Sequence, residues 1–319
     1  MAKISEHINN AKGETLFSIE ILPPMKGHGI QKLYNQIEPL IEFQPKFIDV
    51  TYHREEYIYK KREHGLLERV PIRKRPGTVG ICAALMNRFH IDTVPHIICG
   101  GFTREETENA LIDLQFLGVD NVLALRGDAI KSEGRFTATP GGHEYATDLI
   151  EQITAMNNGK YLNQEVENAF ATNFCIGVAG YPEKHFEAPN FQTDLKYLKR
   201  KVELGAEYIV TQMFFDNAKY FEFVESCRDA GIMIPIIPGL KPLKTKSQLT
   251  VLPSIFHIDL PDDLVSAVDA CKTPEAIHQV GIEWAIAQSK ELKAKGAPCL
   301  HYYAMGEPDN IVAIAKEVF

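Results

Sequence analysis

The amino-acid sequence predicts an α/β protein built as a single (β/α)8 TIM barrel. Short runs rich in β-branched residues recur eight times along the chain, and helical patterns lie between most of them. This alternation favours a parallel sheet, and eight strand–helix units are the number that closes a barrel. The length of 319 residues also suits one barrel of this kind. We therefore predict one domain over residues 1–319.

Each predicted strand is a short apolar run, most of them followed by a helical pattern or a turn. In chain order the eight strands are residues 16–22, 47–50, 96–99, 121–125, 174–179, 208–214, 234–239 and 299–305. A further apolar run at 78–85 is a candidate ninth strand. We assign it to an extension or insertion, over residues 60–93, that precedes the third core strand.

The predicted helices have the periodicity and the end signals of amphipathic helices. They cover residues 103–118, 192–205, 217–231, 273–296 and 308–319. The first begins at a threonine cap with acidic residues in its first turn, and the first four end at a glycine. An open doubly wound sheet is the alternative architecture. That fold needs a glycine-rich turn after the first strand, but the turn reads ILPPMKGHG and contains no G-x-G-x-x-G.

The composition is that of an ordinary globular protein, with 45% hydrophobic and 24% charged residues, which excludes disorder as the main state. No apolar run of about 18 or more residues predicts a membrane span, and the first residues lack the apolar core of a signal peptide. The net charge of −8 argues against a nucleic-acid partner. The basic stretch at 60–75 is interpreted as a solvated helix and loop.

The six cysteines are widely spaced, and no two of them form a C-x-x-C pair. Cys82, Cys99, Cys175 and Cys299 lie in apolar, strand-like runs, where a free thiol behaves as a small buried hydrophobe. This usage predicts neither a disulfide framework nor a zinc site, and it indicates a cytoplasmic protein. His96 and Cys99 lie three residues apart on a predicted strand and face opposite sides, so they should not share a metal ion.

Polar side chains inside apolar strands are the main functional signal. In the first strand Glu20 shares a face with Ser18, while Ile19 lies on the other face. Outward faces of barrel strands meet helices and should be apolar, so Glu20 should point into the barrel, where a carboxylate is costly unless it is paired, neutral or useful. Other strands carry Asp49 and Thr51, His96, Arg126 and Asp128, and Gln212. Most of these residues lie toward the C-terminal ends of their strands, where barrel enzymes place their chemistry, so we predict a shared active site.

Eight motifs follow one another in a fixed order between about residue 16 and residue 305. They are F-S-x-E-x-x-P-P, D-V-T-Y, P-H-x-x-C, A-L-R-G-D, Y-A-T-D-L, A-G-Y-P-E-K-H, D-L-K-Y-L-K-R-K-V and T-Q-x-F-F-D. Each motif is weak alone, but the ordered set is highly specific and covers nearly the whole chain. In this set the sequence resembles the methylenetetrahydrofolate reductase family, in its short bacterial form.

The resemblance implies a flavin-containing barrel that reduces 5,10-methylenetetrahydrofolate to 5-methyltetrahydrofolate. FAD would be reduced by NADH or NADPH in a ping-pong sequence, and the product would feed methionine synthesis and one-carbon metabolism. Hydride transfer belongs to the flavin, so the protein must bind the partners and supply a proton. In the family the glutamate of F-S-x-E is the general acid, which here is Glu20. Its apolar neighbours should desolvate the carboxyl and raise its pKa.

The resemblance also implies the ligand contacts. Folate contacts are expected from Glu20, Asp128, Gln212 and Gln248. FAD contacts are expected from Thr51, His96, Arg126, Gly127, Asp128, Tyr145, Ala146, Tyr181, His185, Ala188, Asp194, Arg200 and Lys201. The positive charges of Arg126, Arg200 and Lys201 suit a pyrophosphate group. No metal ligands are expected.

Two other functions remain open from the residues alone. A Schiff-base aldolase on the same barrel would need a lysine inside a strand, and Lys241 only follows the seventh predicted strand. A non-catalytic folate- or flavin-binding module would keep the binding residues without using Glu20 as an acid. The expected partners are methylenetetrahydrofolate and NAD(P)H, with no membrane. Because barrels of this family are often oligomers, a homo-oligomer is also expected.

Overall fold

The fold is described from a computed structural model of the chain. The structure describes residues 2–129, 134–163, 165–304, 306 and 308–319. Met305, which the sequence places at the end of the last strand, lies outside these residues. Among the described residues, no helix is both long enough and apolar enough to cross a membrane.

Nine parallel strand segments form one sheet that curves into a nearly closed barrel, in the order β10-β11-β1-β2-β5-β6-β7-β8-β9. The predicted (β/α)8 architecture is therefore confirmed. The segments are β1 Leu16–Ile21, β2 Phe47–Val50, β5 Asp92–Ile98, β6 Asn121–Leu125, β7 Cys175–Gly180, β8 Ala206–Thr211, β9 Ile236–Ile237, β10 Gly239–Leu240 and β11 Cys299–Ala304. An antiparallel hairpin outside the barrel consists of β3 Glu56–Lys61 and β4 Leu67–Ile72.

The seventh barrel strand is split at Pro238. Its first half, β9, pairs with β8, and its second half, β10, pairs with β11. Because Pro238 has no N–H group, it cannot donate to a ladder at this position. The barrel therefore closes through the covalent chain across Pro238, which explains why the single predicted strand at 234–239 appears as two short segments.

Eleven α-helices are found among the described residues. They are α1 Ile4–Asn10, α2 Gln31–Ile37, α3 Thr78–Phe89, α4 Arg104–Phe116, α5 Ala146–Asn157, α6 Phe191–Glu203, α7 Asn217–Asp229, α8 Gln248–Phe256, α9 Asp262–Ala270, α10 Pro274–Ala294 and α11 Asp309–Val318. All five predicted helices are confirmed. The predicted cap of α4 is present, because Thr103 Oγ1 accepts a hydrogen bond from the Glu106 N–H at 3.1 Å.

The prediction of a ninth strand at 78–85 is wrong, because this run lies in α3. Ile81, Cys82 and Leu85 are buried, and their spacing places them on one face of a helix. The helix packs against β2 and β5, as the helix between two parallel strands should. A continuous apolar run of this length fits a buried strand and a buried helix face equally well, which is why the sequence misled here.

The basic stretch at 60–75 is solvated as predicted, but it forms most of the β3–β4 hairpin rather than a helix. Two contacts attach the base of the hairpin to the loop that follows β1. The Lys26 N–H donates to the Lys74 carbonyl at 2.7 Å, and the Arg75 guanidinium donates to the Pro23 carbonyl. The hairpin therefore stands beside the C-terminal end of the barrel.

The alternation along β1 separates the core from the barrel interior. Phe17, Ile19 and Ile21 are buried in the large apolar cluster that includes residues of the surrounding helices. Ser18 and Glu20, on the other face of the strand, are also buried but lie inside the barrel. This arrangement confirms the inward direction that the sequence predicts for Glu20.

The N-terminal helix α1 covers the end of the barrel that lies opposite the site. Ile4 is fully buried and packs with the inward-facing apolar residues at the starts of the strands, such as Leu16 and Phe47. The Ile4 N–H donates to Asn121 Oδ1 at 2.9 Å, and Asn121 Nδ2 donates to the Ala2 carbonyl at 3.0 Å. These bonds fix the short helix, which could not be stable alone.

We predict that Ile4→Ala lowers the free energy of unfolding by about 2–4 kcal/mol, because it removes a fully buried side chain and leaves a cavity at the base of the barrel. Urea unfolding followed by circular dichroism measures the change. The matched control is Ile255→Ala in α8, where the side chain is 60% exposed and the change should stay within about 0.5 kcal/mol. Equal losses in the two variants would contradict the assigned role of α1.

Candidate active site

Three ionisable side chains from three neighbouring strands meet inside the C-terminal half of the barrel. Glu20 of β1 lies opposite Asp49 of β2 in the sheet register, and His96 extends from β5 on the far side of Asp49. The imidazole Nε2 lies 3.4 Å from Glu20 Oε2 and 3.5 Å from Asp49 Oδ2. Glu20 and His96 are each only 6% exposed, and Asp49 is fully buried. The sequence signal of polar residues in apolar strands therefore corresponds to one cluster.

Burial determines the protonation of this cluster. Burial raises the pKa of Glu20 to about 7; His96 and Lys241 oppose this rise, and Asp49 adds to it. Burial also raises the pKa of Asp49 well above its ordinary value, and it lowers the pKa of His96. Among the described residues, neither Asp49 carboxyl oxygen has a hydrogen-bond partner. Burial thus favours the protonated form of both carboxyl groups and the neutral form of the imidazole, and Glu20 keeps its proton below about pH 7.

A tyrosine from the last strand forms the wall next to Glu20. Tyr303 lies opposite Glu20 in the register of β1 and β11, and its hydroxyl donates to the Thr211 carbonyl at 2.5 Å. A Cβ atom on Gly239 would lie 2.2 Å from the Tyr303 hydroxyl and 2.3 Å from the Thr211 carbonyl oxygen. Only glycine permits this close approach, so Gly239 allows the Tyr303 side chain to extend from β11 to the Thr211 carbonyl of β8. Lys241 Nζ donates to the Tyr303 carbonyl at 3.1 Å.

A second histidine lies deeper in the barrel. Ser18 Oγ and His301 Nδ1 are 2.9 Å apart, and the His301 ring stacks on Phe47 with 5.9 Å between ring centroids. Burial lowers the pKa of His301 to about 3, so this imidazole stays neutral. The Glu20 cluster therefore rests on a layer that is polar but uncharged.

The loop after β6 contains the predicted residues Arg126, Gly127 and Asp128. Arg126 forms an ion pair with Glu187 at 2.6 Å, and this bond lowers the pKa of Glu187. Gly127 has a φ of 84°, and a Cβ atom there would lie 3.3 Å from the Ile98 side chain. Asp128 is exposed at the barrel mouth. Gly127 therefore forms a turn that has Arg126 on one side and Asp128 on the other.

A second polar cluster joins the loop after β7 to α6. The His185 N–H donates to Asp194 Oδ2 at 2.8 Å, and the rings of Tyr181 and His185 make an edge contact at 4.7 Å. Lys201 Nζ donates to the Ala179 carbonyl at 3.3 Å. Burial lowers the pKa of Lys201, while the nearby Asp194 carboxylate opposes that change. The structure thus brings together four of the residues for which FAD contacts are expected, and Ala188 is buried in the same loop.

Arg200 lies outside this cluster. Its guanidinium is exposed and lies 3.3 Å from the Glu151 carboxylate of α5. Adjacent residues on a helix point about 100° apart, so Lys201 can be buried against β7 while Arg200 faces solvent. Two other expected contacts, Tyr145 and Ala146, lie at the start of α5, where Tyr145 is exposed and Ala146 is buried.

The remaining expected residues have local partners. Thr51 follows β2 and donates to the Ile21 carbonyl at 3.3 Å. Gln212 follows β8, and its Oε1 accepts a hydrogen bond from the Met213 N–H at 2.9 Å. Gln248 begins α8, and its Oε1 accepts from the Lys244 and Thr245 N–H groups at 2.6 and 3.0 Å. The amide oxygen of Gln248 therefore stabilises a turn, which leaves only its amide nitrogen for other contacts.

A cavity of about 380 Å³ lies beside His96, between the hairpin and helices α3 and α4. The rings of Tyr52 and Phe102 line it, with 4.9 Å between their centroids, and Arg73 of the hairpin segment lies at its edge. Its size and mainly apolar lining are within the range of small-molecule sites. The sequence analysis missed these residues, because nothing in the local pattern shows that the hairpin folds back toward β5.

The sequence analysis also missed the parts of the site that come from β10 and β11. Lys241 and Tyr303 belong to ordinary apolar runs in the sequence, and Glu187 belongs to a charged loop. A polar residue directly after a predicted barrel strand is the one signal that could have identified Lys241.

Within the described residues, no group of three or more His, Cys, Asp or Glu side chains could hold a metal ion. All six cysteines are free, as predicted.

Comparison with known proteins identifies relatives over the full length of the chain. The family model described as methylenetetrahydrofolate reductase matches residues 3–318. The 5,10-methylenetetrahydrofolate reductase of Escherichia coli is 29% identical over 312 residues, which cover 98% of this chain and 93% of that protein. Methylenetetrahydrofolate reductase (NADH) 1 of Arabidopsis thaliana is 30% identical over 313 residues, which cover 95% of this chain and 48% of that protein.

The chain spans about half the length of the plant relatives that it matches. A solved structure has the same fold at a TM-score of 0.57 and 15% sequence identity, covering 99% of this chain and 98% of that one. That structure is described as an uncharacterized protein from Clostridium thermocellum that binds two copies of 5-methyl-5,6,7,8-tetrahydrofolic acid.

We predict that the buried Glu20 carboxyl makes the protein less stable as the pH rises from 4.5 to 8. Its pKa is about 7 in the folded protein and 4.5 when unperturbed, so the folded state holds the proton more tightly in this range. The stabilisation is present below pH 4.5 and is lost above pH 7. The free energy of unfolding of Glu20→Gln, relative to the unsubstituted protein, should therefore rise by about 3 kcal/mol over this interval.

Urea unfolding at several pH values measures this difference. The exposed substitution Glu14→Gln controls for the general loss of one negative charge. A difference between Glu20→Gln and the unsubstituted protein that stays constant from pH 4.5 to 8 would contradict a raised pKa of Glu20.

Proposed function

The chain belongs to the methylenetetrahydrofolate reductase family, and on this premise we propose that it reduces 5,10-methylenetetrahydrofolate to 5-methyltetrahydrofolate. NADH or NADPH is the hydride donor and FAD is the cofactor. The observation that carries the proposal is Glu20, a carboxyl group that burial keeps protonated near neutral pH at the C-terminal end of a barrel strand. The family match over residues 3–318 supports the same reaction.

Glu20 acts as the general acid in this proposal. The one-carbon bridge of the substrate opens when a proton reaches one of its two nitrogens, and a carboxyl with a pKa of about 7 can give that proton at neutral pH. Burial lowers the pKa of His96 beside it and raises the pKa of Asp49, so both neighbours favour their neutral forms.

The described residues fit a flavin dinucleotide. When bound, FAD supplies the hydride chemistry that no side chain can perform. Lys201 provides a buried ammonium whose described acceptor is a single carbonyl, and Gly127 provides a turn without a side chain. We propose contacts from Thr51, His96, Arg126, Gly127, Asp128, Tyr145, Ala146, Tyr181, His185, Ala188, Asp194 and Lys201. Arg200 is left out, because it faces solvent and pairs with Glu151.

The folate side of the site is proposed to use Asp128 and Gln212 in addition to Glu20. Asp128 is exposed at the barrel mouth and offers acceptors for the amino edge of a pterin. Gln212 directly follows β8 and still has its amide nitrogen free to donate. Gln248 can contribute only through its amide nitrogen unless the turn before α8 rearranges. These groups and Glu20 follow strands β1, β6 and β8, all at one end of the barrel.

We predict that the purified protein is yellow, that NADH or NADPH bleaches its flavin absorbance, and that methylenetetrahydrofolate restores it. Glu20→Gln should keep the bound flavin and its reduction by the nucleotide, because the amide occupies the same space. Reoxidation by methylenetetrahydrofolate should slow by at least about 100-fold, the contribution of a general acid. Stopped-flow absorbance measures the two half-reactions separately.

Ser18→Ala is the matched control, since it removes a polar group from the same face of β1 without touching the substituted carboxyl. It should leave both half-reactions within about threefold of the unsubstituted protein. A colourless protein that binds no added FAD would refute the proposed cofactor. Normal folate turnover by Glu20→Gln would refute Glu20 as the acid.

Neighbouring substitutions on α6 test the proposed cofactor site. We predict that Lys201→Met weakens FAD binding by at least about tenfold, because it removes a buried positive charge beside Asp194. Arg200→Met should change binding by less than about threefold, because Arg200 forms only an exposed ion pair with Glu151. Equilibrium dialysis of FAD against the apoprotein gives both values, and the reverse order would show that α6 presents its other face to the cofactor.

A further inference from the structure

Lys241 is a positive charge at the mouth of the barrel that the proposed chemistry leaves without a defined role. It directly follows β10, at the C-terminal end of the split seventh strand. Its Nζ donates to the Tyr303 carbonyl at 3.1 Å, and Tyr303 is the register partner of Glu20 in β11. One strand, β11, therefore lies between the lysine and the general acid, and both residues are at the same end of the sheet.

The backbone around Lys241 holds the ammonium in this position. Gly239 packs without a side chain against Tyr303, and the buried Pro242 follows Lys241 and restricts its backbone to extended conformations. Among the described residues, the Tyr303 carbonyl is the one hydrogen-bond acceptor that Lys241 uses. An ammonium has three donors, so two of them are available for other groups in the site.

The groups around Glu20 leave Lys241 as the cation that acts on it. From β2 and β5 Glu20 is faced by Asp49 and His96, and burial disfavours the charged form of both. On the β11 side Glu20 lies next to Tyr303, and burial raises the pKa of Tyr303 well above its ordinary value. Among the described residues, Lys241 interacts with Glu20, with Tyr303 and, in its own loop, with Lys244. His96 makes the larger favourable interaction with the Glu20 carboxylate when it is protonated, but burial lowers the pKa of His96, whereas the pKa of Lys241 is about 8. Lys241 is thus the cation that persists beside Glu20 near pH 7.

We propose that Lys241 is a positioning residue that strengthens Glu20 as an acid by stabilising the carboxylate that remains after proton transfer. The proposal rests on the proposed function, because it takes Glu20 as the proton donor. The O–H bond of Glu20 breaks, an N–H bond forms on the substrate, and the negative charge left on Glu20 faces the Lys241 ammonium. In low dielectric such a pair is worth more than in water.

The same interaction gives the site a defined response to pH. Burial lowers the pKa of Lys241 to about 8, and Glu20 opposes this change. The two groups therefore titrate within about one unit of each other and as a coupled pair. Below about pH 7 the pair holds an ammonium and a carboxylic acid, which is the form that can donate a proton to the folate.

The first experiment compares Lys241→Met and Lys241→Arg by stopped-flow reoxidation of the reduced enzyme with methylenetetrahydrofolate between pH 5.5 and 9. Methionine keeps an apolar stem without the charge, so the alkaline limb of the rate should move up by about 1 pH unit. The plateau rate should fall by about threefold to tenfold, because the acid is weaker. Lys241→Arg keeps the charge and should restore the original profile to within about threefold.

Lys246→Met is the matched control, because Lys246 lies in the same loop but forms an exposed ion pair with Asp269. It should leave the pH profile unchanged. Reduction of the flavin by NADH or NADPH should be the same in all these variants, which shows that they fold and bind the cofactor. An unchanged profile in Lys241→Met, or a shift toward lower pH, overturns the proposal.

A second experiment measures the electrostatic coupling between Lys241 and Glu20 without following the reaction. Competitive acetylation with acetic anhydride at several pH values, followed by mass spectrometry, gives the titration midpoint of each lysine. In Glu20→Gln the midpoint of Lys241 should fall by about 1 unit, because its carboxylate partner is gone. The midpoint of Lys246 should not move. Equal Lys241 midpoints in the two proteins would overturn the proposal, even if Lys241→Met failed to fold.

The two experiments separate this proposal from the proposed function. If the unsubstituted protein does not reduce methylenetetrahydrofolate, the proposed function fails, while the acetylation midpoints still decide whether Lys241 and Glu20 are coupled. If the unsubstituted protein is active but the Lys241→Met profile and the midpoints are both unchanged, the reaction stands and the role of Lys241 is refuted.

Discussion

Burial of ionisable groups inside a nearly closed barrel is the constraint on which the site depends. Water is largely excluded around Glu20, Asp49 and His96, so the charged form of each is disfavoured. Neutral carboxyl groups are the result, and one of them lies at the end of the barrel where a substrate can reach it. The apolar layer below, closed by Ile4 of α1, keeps water from the opposite end. The acid is therefore a consequence of the whole barrel and not of its immediate neighbours alone.

Closure of the barrel links this burial to a few backbone features. The seventh strand is interrupted at Pro238, and Gly239 then allows Tyr303 to cross toward the Thr211 carbonyl. The same crossing places the Tyr303 carbonyl where Lys241 can bind it. A proline that removes a ladder donor and a glycine that removes a side chain thus set the position of Lys241 near Glu20. The backbone features that close the barrel at this end therefore also place the positive charge of Lys241 near Glu20.

The proton-donating part of the site and the proposed cofactor cluster have different physical characters. Around Glu20 the side chains are buried and burial disfavours the charged forms of Asp49 and His96, which favours an acid that keeps its proton until the substrate needs it. Around Lys201 and Arg126 the side chains are charged: Arg126 pairs with Glu187, and the Asp194 carboxylate acts on Lys201 through its charge, as suits a site for an anionic ligand. Both clusters lie toward the C-terminal ends of the barrel strands, the end at which barrel enzymes place their chemistry.

The sequence by itself determined the strand count, the helices that end at glycines, and the inward direction of Glu20. These features follow from local periodicity and from alternation along a strand, which are properties of neighbouring residues. It could not distinguish helix α3 from a buried strand at 78–85, because an apolar run has the same composition in both. The sequence pattern grouped Arg200 with Lys201, although adjacent residues on a helix point about 100° apart.

Only the tertiary structure decided which polar groups share an environment. Asp49 and His96 lie 47 positions apart in the sequence, yet the Nε2 atom of His96 lies 3.5 Å from the Asp49 carboxyl and 3.4 Å from the Glu20 carboxyl. Tyr303 and Glu187 enter the site from segments with no local signal. Desolvation and charge coupling depend on distances across strands, and a sequence specifies those distances only through the complete fold.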